Sequence, residues 1–155
     1  MAKFGKCQFS DLKKFQEKLN KFGQQEIQLF IESCAKELAA RLLAKAIRRT
    51  PVGEYPKGAG KKGGTLRRGW TAGKNQSATA YVQSLTIDKV GKAYVIEITN
   101  PVDYAVYIEF GHRTRNHKGW VQGKFMLTIS EEEINAAAPK ILEQKLTKKL
   151  REVFG

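Results

Sequence analysis

The residue types that most readily do chemistry are few in this sequence and poorly spaced for it. His112 and His117 are the only histidines, five apart in a cationic stretch with no acid or cysteine near them. A zinc centre needs about four ligands including water, and no second ligand pair follows. Cys7 and Cys34 are far apart and neither belongs to a CxxC pair. They read as two reduced thiols, with Cys34 on the buried face of a helix. No serine, cysteine or threonine stands beside a base that would activate it. The carboxylates Glu131, Glu132 and Glu133 suit the first turn of a helix, where negative charge complements the dipole. The glycines at 58, 60, 63 and 64 fit neither phosphate-loop pattern. The sequence therefore assigns no catalytic residue, no metal ligand and no cofactor, and the chain is expected not to be an enzyme.

What remains is charge, interleaved with aromatic residues. The formal net charge is +13, and it is localised. Residues 41–74 hold ten lysines or arginines against one acid, and residues 112–124 hold four against none, while the rest of the chain balances. Such a field attracts phosphate backbones, acidic protein surfaces or anionic membrane surfaces. Tyr55, Trp70 and Trp120 lie in or near these stretches and could stack on bases, but no RNP, KH, helix-turn-helix or zinc-finger signature accompanies them. The candidate inter-subunit or partner contacts are Lys57, Lys61, Lys62, Arg67, Arg68, Trp70, Glu109, Arg113, Arg115 and Trp120. Glu109 is singled out because it lies between Ile108 and Phe110 in an apolar, aromatic run, residues 100–111. A buried carboxylate must be paired or protonated, and Arg67, Arg68 or Arg113 are its candidate partners. Tyr104, Tyr107 and Phe110 of the same run read as core.

The elements that would position these residues follow from periodicity and breakers. Ser10 can cap a helix carrying Leu12, Phe15, Leu19 and Phe22 at three- and four-residue spacing, which Gly23 interrupts. A longer helix over residues 24–49 has Ile27, Phe30, Ile31, Cys34, Leu38 and Leu42 as its stripe and ends at Thr50-Pro51. Residues 51–65 hold two prolines, five glycines and three lysines, and are expected to form a mobile basic loop. Three strands are expected next, over residues 65–72, 80–88 and 92–99, the last two joined as an antiparallel hairpin. Asn100-Pro101 closes the sheet. Asp103 would cap a short helix through Phe110, with a fourth strand as the alternative. Residues 112–123 read as a second basic loop. Ser130 and Glu133 have capping-box spacing, and Pro139 marks the start of a further helix or a kink. The fold class is thus α+β: long N-terminal helices, a small antiparallel sheet of about three to four strands, a short helix after the sheet and a C-terminal helix.

The 155 residues suit a single domain spanning 1–155. No apolar run reaches the roughly 18 residues of a membrane span. The N-terminus lacks the apolar core of a secretory signal, so a cytoplasmic start is expected.

Four motifs in order carry a family resemblance. They are Thr50-Pro51-Val52-Gly53 after a long helix, Gly64-Thr65-Leu66-Arg67-Arg68-Gly69-Trp70, Tyr104-Ala105-Val106-Tyr107-Ile108-Glu109-Phe110-Gly111, and Gly123-Lys124-Phe125-Met126-Leu127. Over roughly residues 10–150 the chain resembles the HK97 gp10-like neck or tail-completion proteins of tailed bacteriophages. The first family element is split here by an insertion, GEYPKGAGKKG, and Trp70 stands where a serine is usual. The resemblance implies a structural virion protein that forms a ring, commonly a hexamer, at the head–tail junction. That ring would complete or terminate the tail. Its implied partners are further copies of itself, a head-side connector or stopper, the tail tube and, in a contractile tail, the sheath, with DNA passing through the lumen and no membrane. Assembly would take place in the host bacterial cytoplasm. The alternative is a small basic nucleic-acid-binding accessory protein.

Overall fold

The computed structural model describes residues 17, 20 and 22–155; the expected first helix over residues 10–22 lies outside them apart from single positions. Nine elements follow: α1 (Gln24–Arg49), α2 (Thr65–Gly69), α3 (Ala78–Gln83), β1 (Asp88–Val90), β2 (Ala93–Val95), α4 (Ala105–Phe110), β3 (Gly111–Arg113), β4 (Trp120–Gln122) and α5 (Met126–Phe154). The class is α+β. The strands form two separate antiparallel ribbons, β1–β2 and β3–β4.

Helix α1 forms where alanines at 35, 39, 40, 44 and 46 favour it. Its deepest positions are Cys34, Ala40, Leu43 and Ala46, whereas Ile27 and Ile31 of the expected stripe are exposed. The small side chains decide this, because alanine lets α3 and α5 approach the α1 backbone closely. Cys34 is buried and free, and burial pushes its thiol pKa up, away from reactivity. The helix ends at Thr50, which is fully buried and fully partnered. Its N–H and its hydroxyl both donate to Ala46 O, at 3.0 and 2.7 Å. Trp70 Nε1 donates to Thr50 Oγ1 at 2.7 Å. Arg67 Nη2 donates to the Thr50 carbonyl at 2.7 Å. The carbonyl that the helix leaves without a partner is thus supplied with one from α2.

Residues 65–72 are helix where a strand was expected. Leu66 and Trp70 are both buried, and their spacing of four fits one face of a helix as well as one face of a strand. Residues 80–88 also begin as helix. Ser77 Oγ accepts from Ala80 N at 3.1 Å, an N-cap that puts Val82 in the core with no exposed area. Ribbon β1–β2 is an antiparallel hairpin about Gly91, as expected, with Val90 opposite Ala93, but its first strand lies at Asp88–Val90, past the expected 80–88. Its ladder stops at Val95, although half-buried and exposed residues go on alternating to Asn100. The segment 112–123 contains ribbon β3–β4 where a loop was expected, with His112 opposite Val121.

Helix α5 is continuous and contains Pro139. Pro139 is exposed, so water can serve the backbone carbonyl one turn back that loses its donor. Ser130 and Glu133 lie inside this helix and do not cap it. Ser130 Oγ donates to Met126 O at 2.6 Å. Helices α1 and α5 run antiparallel, tied at two levels. Lys45 and Arg49 both pair with Glu133, the first at 2.6 Å. Lys145 pairs with Glu37 at 2.9 Å, and Arg41 holds the same carboxylate at 2.9 Å. Between the helices and the short elements lies a core of Ala40, Leu43, Ala46, Leu66, Trp70, Val82 and Met126, against which Ile98, Val102, Ala105 and Ile108 pack. No helix is long and apolar enough to cross a membrane among the described residues.

These ion pairs predict acid sensitivity. Hydrogen bonding from Lys145 and Arg41 lowers the Glu37 pKa, and Lys45 and Arg49 lower that of Glu133. A carboxyl whose pKa is depressed in the folded state stabilises it above the unfolded value, about 4.3 for glutamate, and that stabilisation is lost as pH falls through the folded value. Thermal unfolding followed by circular dichroism should therefore give a lower midpoint at pH 3 than at pH 7. The Glu133→Gln, Glu37→Gln double variant should show a clearly shallower decline over the same range. An equal decline in both proteins would show that these pairs do not set acid stability.

Candidate assembly interface

Helix α4 is only six residues long, yet it joins the core to the last helix and presents an apolar surface to solvent. Helical spacing divides it into two faces. Ala105, Ile108 and Glu109 turn inward, Glu109 with 7 % of its area exposed. Val106, Tyr107 and Phe110 turn outward, exposed by 62, 58 and 58 %. Tyr104, just before the helix, and Val121 on β4 are exposed beside them. Tyr104, Tyr107 and Phe110 are thus surface residues, contrary to the expectation that they belong to the core. The short helix itself was expected, but not its facing: Ile108 turns inward and Tyr107 outward, and so short a helix offers too little inward surface to bury its aromatics as well.

Glu109 explains how so small a helix is held. The backbone N–H groups of Leu127 and Thr128 donate to its carboxylate at 3.0 and 2.8 Å, and the Thr128 hydroxyl donates at 2.8 Å. These are the first-turn donors of α5, which have no partner within the helix. The adjoining Phe125 supplies no side-chain cap, so Glu109 caps α5 from 18 residues upstream, with the helix dipole favouring its charge. Arg67, Arg68 and Arg113, its expected partners, are not involved. The backbone strengthens the joint. Lys124 N donates to Ile108 O at 2.7 Å and Phe125 N to Glu109 O at 3.0 Å. Gly111 and Gly123 make this approach possible: a side chain on Gly123 would strike the Glu109 carbonyl, and one on Gly111 would strike the Val121 carbonyl. Phe125 enters α5 with φ 47°, a left-handed conformation that costs a non-glycine residue about 1–2 kcal/mol. Its ring meets that of Phe110 edge-on, centroids 6.4 Å apart.

The two basic segments flank this apolar face. A cavity lined by Val52, Tyr55, Lys62, Gly63, Tyr104 and Ile108 lies on one side. A second, lined by Tyr104, Tyr107, Ile108, His112 and Arg113, lies on the other. Tyr107 and His112 meet edge-on across it, centroids 6.1 Å apart.

The structure separates the ten contact candidates into three groups. Trp70 and Glu109 are buried and bonded within the chain, and Arg67 is engaged at Thr50. Arg68 is exposed, with Nη1 donating to Gly63 O at 3.2 Å. Lys57, Lys61 and Lys62 are exposed on the loop, and Arg113, Arg115 and Trp120 are exposed on ribbon β3–β4. Sequence reasoning missed Val106, Val121, Thr128 and Lys118. The helical period of α4 could have placed Val106 outward, but nothing local could pair Thr128 with Glu109. Among the described residues no three His, Cys, Asp or Glu side chains gather as a metal site would require.

The cap predicts a measurable cost. Glu109→Gln keeps the side-chain length but removes the charge and turns one acceptor into a donor facing N–H groups, so unfolding in urea should show a loss of about 1–3 kcal/mol. Arg113→Gln, which removes one of the expected partners, should change stability by less than about 0.5 kcal/mol. A Glu109→Gln effect as small as that of Arg113→Gln would remove the carboxylate from this role.

Comparison with known families places the chain. The match is to the HK97-gp10-like family, described as a candidate tail component of bacteriophages, over residues 13–111. It takes in α1 to α4 and ends at Gly111, the first residue of β3, short of the rest of ribbon β3–β4 and of α5. The comparisons with curated proteins and with solved structures return no match. With well over half its length matched, this chain belongs to the HK97-gp10-like family of candidate bacteriophage tail components.

Proposed function

We propose that the chain is a structural virion protein that forms a ring at the head–tail junction, completing the tail and joining it to the head connector. Family membership supports a place in the tail. The single observation that carries self-assembly is the exposed apolar face of Tyr104, Val106, Tyr107, Phe110 and Val121. A contiguous apolar surface of this kind marks an interaction site on a soluble protein. A head-to-tail interface closes into a ring when its rotation allows, and a hexamer is the proposed state. Further proposed partners are the connector or stopper on the head side and the tail tube on the other. The role is structural and not catalytic.

The test is assembly. Mass photometry of purified tails and of the concentrated protein should show a multimer, and the protein should be found in virions. Phe110→Asp should leave the monomer folded, because its ring is 58 % exposed. It should weaken self-association at least about 30-fold, since an aromatic anchor contributes about 2 kcal/mol or more. A wild-type chain that stays monomeric and is absent from virions would overturn the reading; unchanged assembly of the variant would move the interface elsewhere.

The basic loop takes a second role within this proposal. Residues 51–62 are exposed throughout, and Ala59 N to Pro56 O, at 3.1 Å, is the one backbone hydrogen bond among residues 51–62. We expect the loop to be cleaved by trypsin after Lys57, Lys61 or Lys62 in the free subunit and to be protected in the ring. Equal cleavage in both states would refute its ordering on assembly.

A further inference from the structure

We propose that ribbon β3–β4 is a binding surface for double-helical DNA, with Arg113, Arg115 and Lys118 on the phosphates and Trp120 packed beside them. All of the ribbon except Gly111 lies beyond the residues that match the family, so the inference rests on the ribbon itself.

The first observation is where the cations are engaged. Of the ten in residues 41–74, five are held within the chain: Arg41 on Glu37, Lys45 and Arg49 on Glu133, Arg67 on Thr50 O and Arg68 on Gly63 O. Half of the richest basic stretch of the sequence is therefore engaged within the fold. On the ribbon, Arg113, Arg115 and Lys118 make no ion pair among the described residues, and no carboxylate occurs from Gly111 to Ser130.

The second is rigidity. The turn between the strands is cross-linked by hydrogen bonds of Thr114 and Asn116. Thr114 N donates to Gly119 O at 3.0 Å and His117 N to Thr114 O at 2.8 Å. The Thr114 hydroxyl donates to Asn116 Oδ1 at 2.6 Å, and the N–H groups of Gly119 and Lys118 donate to Thr114 Oγ1 and Asn116 Oδ1 at 3.0 and 3.2 Å. The charges are thus displayed before any partner arrives, and little ordering cost remains to weaken binding. The loop that carries Lys57, Lys61 and Lys62 has no such network.

The third is the arrangement. Arg113 and Trp120 are directly opposite across the strands and so share one face. The indole lies over Gly111, where a side chain would collide with it. Trp120 is 59 % exposed. The cross-strand pair His112 and Val121 takes the other face, while Arg113 also lines the cavity beside Tyr104 and Tyr107, so the DNA surface adjoins the apolar surface of α4. A two-stranded ribbon fits the major groove of B-DNA.

The experiment is fluorescence anisotropy of a short mixed-sequence DNA duplex, titrated with the full chain over a range of salt concentrations. Binding in the micromolar range at low salt is expected. The Arg113→Gln, Arg115→Gln, Lys118→Gln variant should lower the slope of log affinity against log salt by about 3, since each phosphate contact contributes about 0.9. Neutralising Lys57, Lys61 and Lys62 should lower it by less than about 1. An unchanged slope in the ribbon variant, or equal losses in both variants, overturns the proposal. So does a ribbon variant that binds DNA normally but no longer joins virion proteins, which would make the ribbon a protein-docking element. The DNA titrations do not need the ring to form, so their failure is separable from failure of the assembly reading.

Discussion

The carboxylate of Glu109 sits where two requirements meet. Helix α5 begins with N–H groups that have no partner inside the helix and no side-chain cap beside them, and α4 is too short to stand alone. One buried negative charge answers both, accepting three hydrogen bonds from the first turn of α5 and fixing α4 against it. The left-handed Phe125 and the close approach at Gly123 follow from that geometry. Once α5 is anchored there, its path along α1 is set, and Lys45, Arg49 and Lys145 find their partners at the two levels where the helices run side by side.

Thr50 plays the corresponding part at the other end of the core. It closes α1 and gathers Trp70 and Arg67 from α2, so the helix that follows the loop is docked at the point where the loop leaves. The nine residues between Gly53 and Gly63 can then project without disturbing the core, because the chain on either side of them is already tied. Charge in this protein therefore does two kinds of work. Part of it is neutralised to hold helices together, and part is displayed on two flanks of an uncharged, aromatic face.

Much of the fold was legible from residue order. The long alanine-rich helix, the turn at Gly91, the short helix after Asn100-Pro101 and the C-terminal helix appear where local propensity placed them, although Leu146 and Leu150 of the C-terminal stripe are exposed. The short helices α2 and α3 did not, because Leu66 and Trp70 satisfy both periods and Val82 sits among β-branched and aromatic neighbours that read as strand. Ribbon β3–β4 was hidden for the opposite reason. Its residues are polar and its pairing depends on a side-chain-bonded turn, which leaves no alternation to detect. At the interface, the identity of the basic ribbon residues was visible, and so was the oddity of Glu109. The exposure of Tyr104, Tyr107 and Phe110 was not, since an aromatic residue at helical spacing looks the same whether it faces a core or a partner.

The sequence by itself determined the α+β class, the family and the localisation of charge, because each of these depends on residue type and short-range order. Only the tertiary structure decided which cations are already engaged, which aromatics are covered and what satisfies Glu109. The bonds to Glu109 and those that tie α5 to α1 join groups 18 to 112 residues apart in the chain, and a hydrogen bond or ion pair over such a separation leaves no local pattern until packing brings its partners within 3 Å.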